Sequence, residues 1–457
     1  MGASGLHRRA ARSSHRMAVT ARIAPAEPFD RLDLLSPAAL RGWWTKRVRK
    51  VLDIAADELP FYQRRFAACG FDPKRFRRLE DLARLPTWRK RDVLEEQRRL
   101  GTHALGIERL AKGAVPSAIT LSSGTIGTSF ISINLRWRRE QARSSARAHW
   151  WAGFRKHGAF VISAPAWHNY AAIQPALAEH FDMPCVVVSG TYLPRYTERI
   201  VDALRRFRPR FISMFLPMVF PLLSVARRMQ LEPRALFDGV ETFLVTGAPI
   251  TPGMRAHLRE LLGVPRVAEI AGTSESLLAV ECGEERGLHV VPDTCFAEVL
   301  DRRTGASSPD GERGTLVHSF LIPEGSVYLR YDSEDAATID RSACPCGLAS
   351  PRVKLHGRWE HSFELAGKTC LPFDVQRALE DAVPEMIGTP FVIVREALAA
   401  GRLRLLVPEA DAASALGDNM RSTLEERFGV AADVAWVREL PLQFKGVPAV
   451  LSETQVG

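Results

Sequence analysis

Residues 119–130 read ITLSSGTIGTSF. A β-branched run leads into Ser122, Ser123, Gly124, Thr125, Ile126, Gly127 and Thr128, and the apolar FISINL follows. Two strands joined by a loop of small hydroxyl residues and glycines gather backbone N–H and side-chain O–H groups around one concavity, a suitable seat for a polyphosphate. The loop lacks the Gly-Lys-Ser/Thr ending of a Walker A loop, so it carries no lysine to the outer phosphates. Taken alone the stretch reads first as an ordinary hairpin turn, and the residues around it have to decide.

Downstream, between Phe160 and Gly272, short β-branched runs alternate with helical patterns: FVISAP, CVVVSG, YTERIVDALRRF, FISMF, MVFPLLSVARRM, TFLVTG, PGMRAHLRELLG and VAEIAG. That alternation predicts parallel strands with crossover helices. Ligands in such sheets bind beyond the carboxyl ends of the strands, which singles out residues 166–170, 247–249 and 271–275. After Leu277 the helical alternation stops, and LLAVEC, CFAEVLD, GTLVHSF and VYLRYD read as mostly antiparallel strands of a smaller β region. Past Gly357, SFELAG, LPFDVQRALEDAV, FVIVREA, RLRLLVP, AASALGDNMRSTLEERFG and ADVAWV predict a small α+β domain.

Upstream, Pro37 to Glu96 has apolar residues at helical spacing, broken at Pro60 and Pro86, with Trp43, Trp44, Phe61 and Tyr62 as expected core. The expected class is therefore α/β. A disordered extension (1–27) precedes a large domain (28–357) of mixed and parallel sheets with crossover helices plus a small β region, and a small mobile α+β domain (358–457) ends the chain.

The totals narrow the function. At 457 residues with 46% hydrophobic and 25% charged residues, the chain is long enough for two or three cores. No run of 18 apolar residues reads as a membrane span. The net charge is +10, but residues 1–27 hold five arginines against one acid, so +4 of it sits there and only +6 is spread over the rest. This argues against a nucleic-acid surface while leaving room for a local cluster facing a phosphate-rich ligand. The basic first 28 residues lack the apolar core of a secretory signal. Seven cysteines, an odd number, predict reduced thiols in the cytoplasm. Four soft ligands among them and the histidines, Cys282, His289, Cys344 and Cys346, form Cys-x6-His followed by Cys-x-Cys, a donor set for a tetrahedral structural zinc. The plain alternative is a small core cysteine beside a satisfied histidine.

From about Leu59 onward the chain resembles the acyl-adenylate-forming ligases, and within them the phenylacetate-coenzyme A ligase branch. The resemblance rests on LPFYQRRFAACGFDPKRFRRLEDLARLP, SSGTIGT, TGAPITPGMRAHL, Ala271-Gly272-Thr273-Ser274-Glu275, ECGEERGLHVVPD, YLRYDSED, CPCG and GRWEHSFELAGKTCLP, in family order and spacing. It implies that a carboxylate attacks the α-phosphate of ATP and that a thiol, coenzyme A or a carrier-protein phosphopantetheine, then opens the acyl-adenylate. By the same resemblance Ser122, Ser123, Gly124, Thr125 and Gly127 hold the departing phosphates, Gly247 and Ala248 face adenine, and Gly272, Thr273 and Ser274 line the nucleotide. Glu275 brings magnesium, Asp335 binds the ribose hydroxyls, Arg358 sits near that sugar or the phosphates, and Glu360 is a hinge acid. Trp167, His168, Asn169 and Tyr170 line the acid site, for which a planar aromatic acid is expected.

Three departures from the family pattern stand out. Ala271 replaces the tyrosine that stacks on adenine, leaving space for a different nucleotide tilt or a larger acyl group. The phosphate loop ends Thr128-Ser129-Phe130 in place of Lys-Pro-Thr. Lys445-Gly446 reverses the Gly-Lys pair whose lysine clamps the carboxylate during adenylation, so Lys445 is the candidate for that role. An amine acceptor and a non-catalytic nucleotide- or acyl-binding relative remain open alternatives. The expected partners are a small carboxylic acid and, as open options, an acyl carrier protein and a second copy of the chain. Nucleic acid and membrane are not expected, and a specialised biosynthetic role fits the altered motifs.

Overall fold

The computed structural model describes residues 28–100, 116–121, 131–135, 138–164, 169–189, 194–273, 277–322, 326–409, 413–440 and 449–456. Its amino-terminal layer follows from local signals. Helix α1 (Pro37–Glu58) has proline in its first turn, and Ser36 Oγ accepts from the Ala39 N–H at 3.3 Å. Pro60 then opens α2 (Pro60–Cys69), which stops at Gly70 in the left-handed region (φ 64°). Trp44, Phe61 and Tyr62 are buried as the periodicity predicts, while Trp43 is half-buried. Helix α3 (Lys90–Leu100) follows, and β1 (Pro116–Leu121) pairs antiparallel with β2 (Ile131–Leu135).

Helix α4 (Arg138–Trp151) leads into the expected alternation: β3 (Phe160–Ala164), α5 (Asn169–Ala178), β4 (Cys185–Ser189), α6 (Pro194–Phe207), β5 (Phe211–Phe215), α7 (Val219–Arg228), β6 (Thr242–Thr246), α8 (Pro252–Leu262) and β7 (Val267–Gly272). The strands β3, β5 and β6, apolar but for Ser163, Ser213, Thr242 and Thr246, are buried throughout or nearly so, as strands covered on both faces must be. The antiparallel run comprises β8 (Leu277–Glu281), β9 (Leu288–Val290), β10 (Cys295–Leu300), β11 (Gly314–Phe320), β12 (Tyr331–Asp340) and β13 (Arg352–Arg358).

These do not form a separate sheet. The order β10-β11-β12-β13-β9-β8-β7-β6-β5-β3-β4 is one continuous eleven-stranded sheet, parallel from β4 to β7 and antiparallel from β7 to β10. Strand β7 therefore belongs to both halves.

The expected strand VYLRYD is displaced. The ladder begins only at Tyr331, because the backbone before it is satisfied by side chains: Tyr62 Oη donates to Val327 O and accepts from Leu329 N, both at 2.9 Å. Arg330 breaks the extended run at φ 54°, and its buried guanidinium donates to Leu82 O, Leu85 O and Glu298.

The carboxyl-terminal part folds around its own core. Hairpin β14 (Phe363–Leu365) and β15 (Lys368–Cys370) precedes α9 (Pro372–Ala382), then β16 (Val392–Val394), β17 (Leu403–Pro408), α10 (Ala413–Phe428), β18 (Ala432–Val437) and β19 (Ala449–Leu451). The last four strands form a sheet of order β18-β17-β16-β19. Its main apolar cluster, including Phe363, Val375, Leu379, Ile393, Leu405 and Leu424, contains no residue of the eleven-stranded part.

Candidate functional site

Strand register aligns the expected ligand-bearing segments. Ala164, Phe215 and Thr246 end three neighbouring parallel strands, and β7 runs beside them to Gly272, so Leu216, Gly247 and Gly272 stand at one edge of the sheet. Gly247 follows β6 at φ 90°, and a Cβ there would stand 2.5 Å from Phe215 Cδ1, so only glycine lets the backbone turn against that ring. Ala248 packs against the same side of the sheet. On the next strand, Ala271 is buried among Leu278, Ala279 and Leu288, while Gly272 is exposed at the strand end. The methyl group that replaces tyrosine thus points into the core between β7 and β8.

Beneath Gly247–Ile250 lies a charged network that the motifs do not announce. Arg255 donates from both terminal nitrogens to Glu281 at 2.6 and 2.9 Å and also to Val267 O at 2.7 Å. Glu281 accepts from the backbone of Glu269 at 3.1 Å. Burial, reinforced by the Glu281 charge, pushes the Glu269 carboxyl up to about 8. The lone acid inside the apolar run VAEIAG was the available signal for this network.

Asp335 and Arg358 are direct cross-strand partners on β12 and β13. Arg358 Nε lies 3.8 Å from Asp335 and 3.3 Å from Glu360. Desolvation lowers the Arg358 pKa, but Asp335 and Glu360 outweigh it and hold the guanidinium above its ordinary value. The turn that presents Asp335 is held by Asp332, which is buried, accepts from Thr315 Oγ1 and Glu334 N at 2.8 Å, and pairs with Arg89 at 3.0 Å. Sequence reasoning missed Asp332 and Arg89. An aspartate two residues ahead of a backbone donor is a local turn signal that could have found the first.

At the aromatic wall, Tyr170 on α5 shares a 2.5 Å hydrogen bond with Ser213 and meets Phe215 edge to face, with centroids 6.4 Å apart. Asn169 begins the same helix. Phe215, unremarked in the sequence, thus touches both the expected acid-binding side and the Gly247 turn.

The Cys/His group converges. The ligand atoms of Cys282, His289, Cys344 and Cys346 all lie within 4.8 Å of one another. Cys282 and Cys344 sulfurs are 3.8 Å apart, and Cys346 Sγ is 3.3 Å from His289 Nε2. His289 Nδ1 donates to Ser350 O at 2.8 Å, which fixes the tautomer that leaves Nε2 facing the sulfurs. The hydrogen bond from Cys346, aided by His289, outweighs burial and holds the Cys282 thiol below its ordinary value.

Several expected site residues lie outside the described residues: Ser122, Ser123, Gly124, Thr125 and Gly127 of the phosphate loop, Trp167 and His168, Ser274 and Glu275, and Lys445. Thr273 lies just inside them. Among the described residues, no helix is long and apolar enough to cross a membrane.

No family model matches the chain. Curated relatives do. The chain is 30% identical over 374 residues to the phenylacetate-coenzyme A ligase of Thermus thermophilus, covering 80% of each. It is 30% identical over 361 residues to that of Pseudomonas putida, covering 76% of this chain and 77% of the relative. Among solved structures, 2-hydroxyisobutyryl-CoA ligase in its postadenylation state matches with a TM-score of 0.81 at 22% identity, over 95% of this chain and 94% of that one. The same enzyme with 2-HIB-AMP and CoA in its thioesterification state matches at a TM-score of 0.67 and 23% identity, over 92% and 91%. The mixed α/β fold is that of the adenylate-forming ligases, and the chain belongs to the phenylacetate-coenzyme A ligase family of AMP-forming acid–thiol ligases.

Proposed function

We propose that this ligase activates an aryl carboxylic acid with ATP and magnesium and passes the acyl group to the thiol of coenzyme A. The observation that carries the choice of acid is the edge-to-face Tyr170–Phe215 pair beside the Gly247 turn, two aromatic rings that could form one side of a slot for a planar ring. The acid's carboxylate oxygen attacks the α-phosphorus of ATP, the bond to the bridging oxygen breaks, and pyrophosphate leaves. The thiol sulfur then attacks the acyl carbon, and AMP leaves with the electron pair of the mixed anhydride.

In this reading the Ser122–Gly127 loop and Lys445 neutralise charge on the phosphates and the carboxylate, and Glu275 would hold magnesium. Gly247, Ala248, Gly272, Thr273 and Ser274 seat the base, Asp335 accepts from the ribose hydroxyls, and Arg358 stands beside the same sugar. The part beyond Gly357, with a core of its own, turns about Glu360 between the two half-reactions. The relative solved in postadenylation and thioesterification states supports that motion. Acid-dependent ATP–pyrophosphate exchange across a panel of aryl acids, with and without coenzyme A as final acceptor, tests the reading. Exchange with aliphatic acids alone would refute the aryl assignment, and acyl transfer to a phosphopantetheinylated carrier but not to coenzyme A would refute the acceptor.

The Cys282, His289, Cys344 and Cys346 cluster is proposed as a structural zinc site. The 3.8 Å sulfur–sulfur and 3.3 Å sulfur–nitrogen separations are close to the edges of a tetrahedron with ligand bonds of about 2.3 and 2.0 Å, and all four ligand atoms lie within 4.8 Å of one another. All four positions are protein ligands, three of the residues are buried, and no place is left open for a substrate.

A further inference from the structure

The carboxyl-terminal part touches the rest of the chain through a seam of mixed character, with Ile387 packed on the apolar cluster of the large part and a buried carboxylate beside it. Helix α8 starts directly after Gly247–Ile250, and its N-cap Thr251 accepts from Met254 N at 3.0 Å. The same hydroxyl donates in a short hydrogen bond to Glu380 on α9, whose other oxygen accepts from Gln376 Nε2 at 2.7 Å. Thr251 is 1% and Glu380 4% exposed.

The surroundings are shaped for this contact. Gly253 lies in the first turn of α8, where a Cβ would stand 3.6 Å from Ile387 Cδ1 and 3.8 Å from Glu380 Cβ, so the helices approach closely. Gly388, at φ 82°, tucks under the Phe220 ring, where a Cβ would overlap it. A second anchor joins Arg313, just ahead of β11, to Asp374 in the first turn of α9 through two hydrogen bonds of 2.9 and 2.6 Å.

A carboxylate at this position is a poor adhesive and a good register mark. The positive end of α8 and the Thr251 hydroxyl favour it, but burial disfavours its charge and raises its pKa. Separation of the two parts returns it to water, so the contact opens more readily than an apolar seam of equal area would.

We propose that Glu380 is a positioning residue: its bond to Thr251 latches the carboxyl-terminal part onto the nucleotide-facing segment Gly247–Ile250 and so sets the balance between the two half-reactions. This rests on the reading above that Gly247 and Ala248 face the nucleotide and that the small part turns. When the part turns, Thr251 loses its acceptor, and the segment that cradles the base loosens with it.

The test compares wild type with Glu380→Ala and Glu380→Gln, the glutamine keeping an acceptor oxygen for Thr251. Two quantities are read: tryptic cleavage between Arg352 and Lys368 under native conditions, and the ratio of pyrophosphate exchange to thioester formation from preformed acyl-adenylate, with phenylacetate as the probe acid. We expect E380A to be cut roughly tenfold faster there and to shift the ratio by about as much, while E380Q stays within about twofold of wild type. Cleavage and ratio both unchanged in E380A would overturn the latch. Equal loss of both half-reactions with faster proteolysis throughout the chain would overturn it too, as the mark of a merely structural residue. If wild type activates no aryl acid, the functional reading fails on its own, and the cleavage comparison still decides whether Glu380 holds the two parts together.

Discussion

Asp335 and Arg358 face each other across β12 and β13, and Arg358 reaches on to Glu360 at 3.3 Å, so one guanidinium ties the acid proposed to bind ribose to the start of the carboxyl-terminal part. The pairing leaves Asp335 about a fifth exposed, open to a hydroxyl donor from one side. Replacing Asp335 with alanine removes the acceptor while leaving the Asp332 turn intact. The expected outcome is a rise in KM for ATP of roughly 10- to 100-fold with a smaller change in kcat, measured by steady-state kinetics with ATP as the varied substrate. An unchanged KM would remove Asp335 from the nucleotide site.

Zinc content is a direct measurement. Protein purified without chelators should carry about one equivalent of zinc, and Cys344→Ser should carry little. Stripping the metal should lower Tm by on the order of 5–10 °C, since two hairpin segments lose their common tie. Less than a tenth of an equivalent in the untreated protein would end the assignment.

Arg147 is a structural counterpart to these sites. Its side chain is 1% exposed and joins Asp30 at 2.6 Å, Asp293 at 3.2 Å and, by a shorter contact, Asp33. Asp33 also accepts from Trp151 Nε1 at 2.9 Å, and the Trp151 ring lies 6.1 Å from that of His289. Arg147→Met leaves buried carboxylates without their counter-charge and should reduce unfolding free energy by about 3–5 kcal/mol in urea titration. Arg147→Lys should recover only part of this, because an ammonium cannot bridge three carboxylates in one plane.

Acid sensitivity follows from two buried histidines. Burial pushes His149 and His318 down from 6.5 to about 4. His149 donates from Nδ1 to Ser145 O at 2.7 Å as the neutral tautomer. Between those two values the unfolded chain binds more protons than the folded one. The stabilisation is therefore complete above about pH 6.5 and is lost as pH falls toward 4, by on the order of 3 kcal/mol per histidine. His356, also pushed down to about 4, adds to this slope, while the Glu269 carboxyl, held up to about 8, acts in the opposite sense over the same range, so the test is a difference: between pH 7.5 and 4.5 wild type should lose on the order of 3 kcal/mol relative to His149→Gln in urea titration. A slope equal in both proteins would assign the acid sensitivity elsewhere.

The alternation of parallel strands and crossover helices was legible because burial on both faces demands short, mostly apolar runs without charge such as FISMF and TFLVT, and composition and length identify those locally. The Cys-x6-His and Cys-x-Cys pairs were legible as donors because thiol and imidazole are chemically distinctive wherever they fall. The sequence groups them as one expected site, but the path by which they meet, with β8, β9 and the turn before β13 brought together through the sheet order, is not local. Likewise VYLRYD has strand composition, yet Tyr62, more than 260 positions away, takes its backbone groups and delays the ladder to Tyr331.

What the amino-acid order settled by itself was the kind of element at each place and the chemical groups each one carries. Only the tertiary structure decided that the antiparallel strands continue the parallel sheet through β7, that Phe215 backs the Gly247 turn, and that Glu380 meets Thr251. The physical reason is range. Periodicity, capping and turn chemistry act over a few residues, whereas Phe215 and Gly247 are 32 positions apart, Thr251 and Glu380 129, and the sheet order needs pairings such as Arg352 with His289, 63 apart, all of which exist only once the chain has packed.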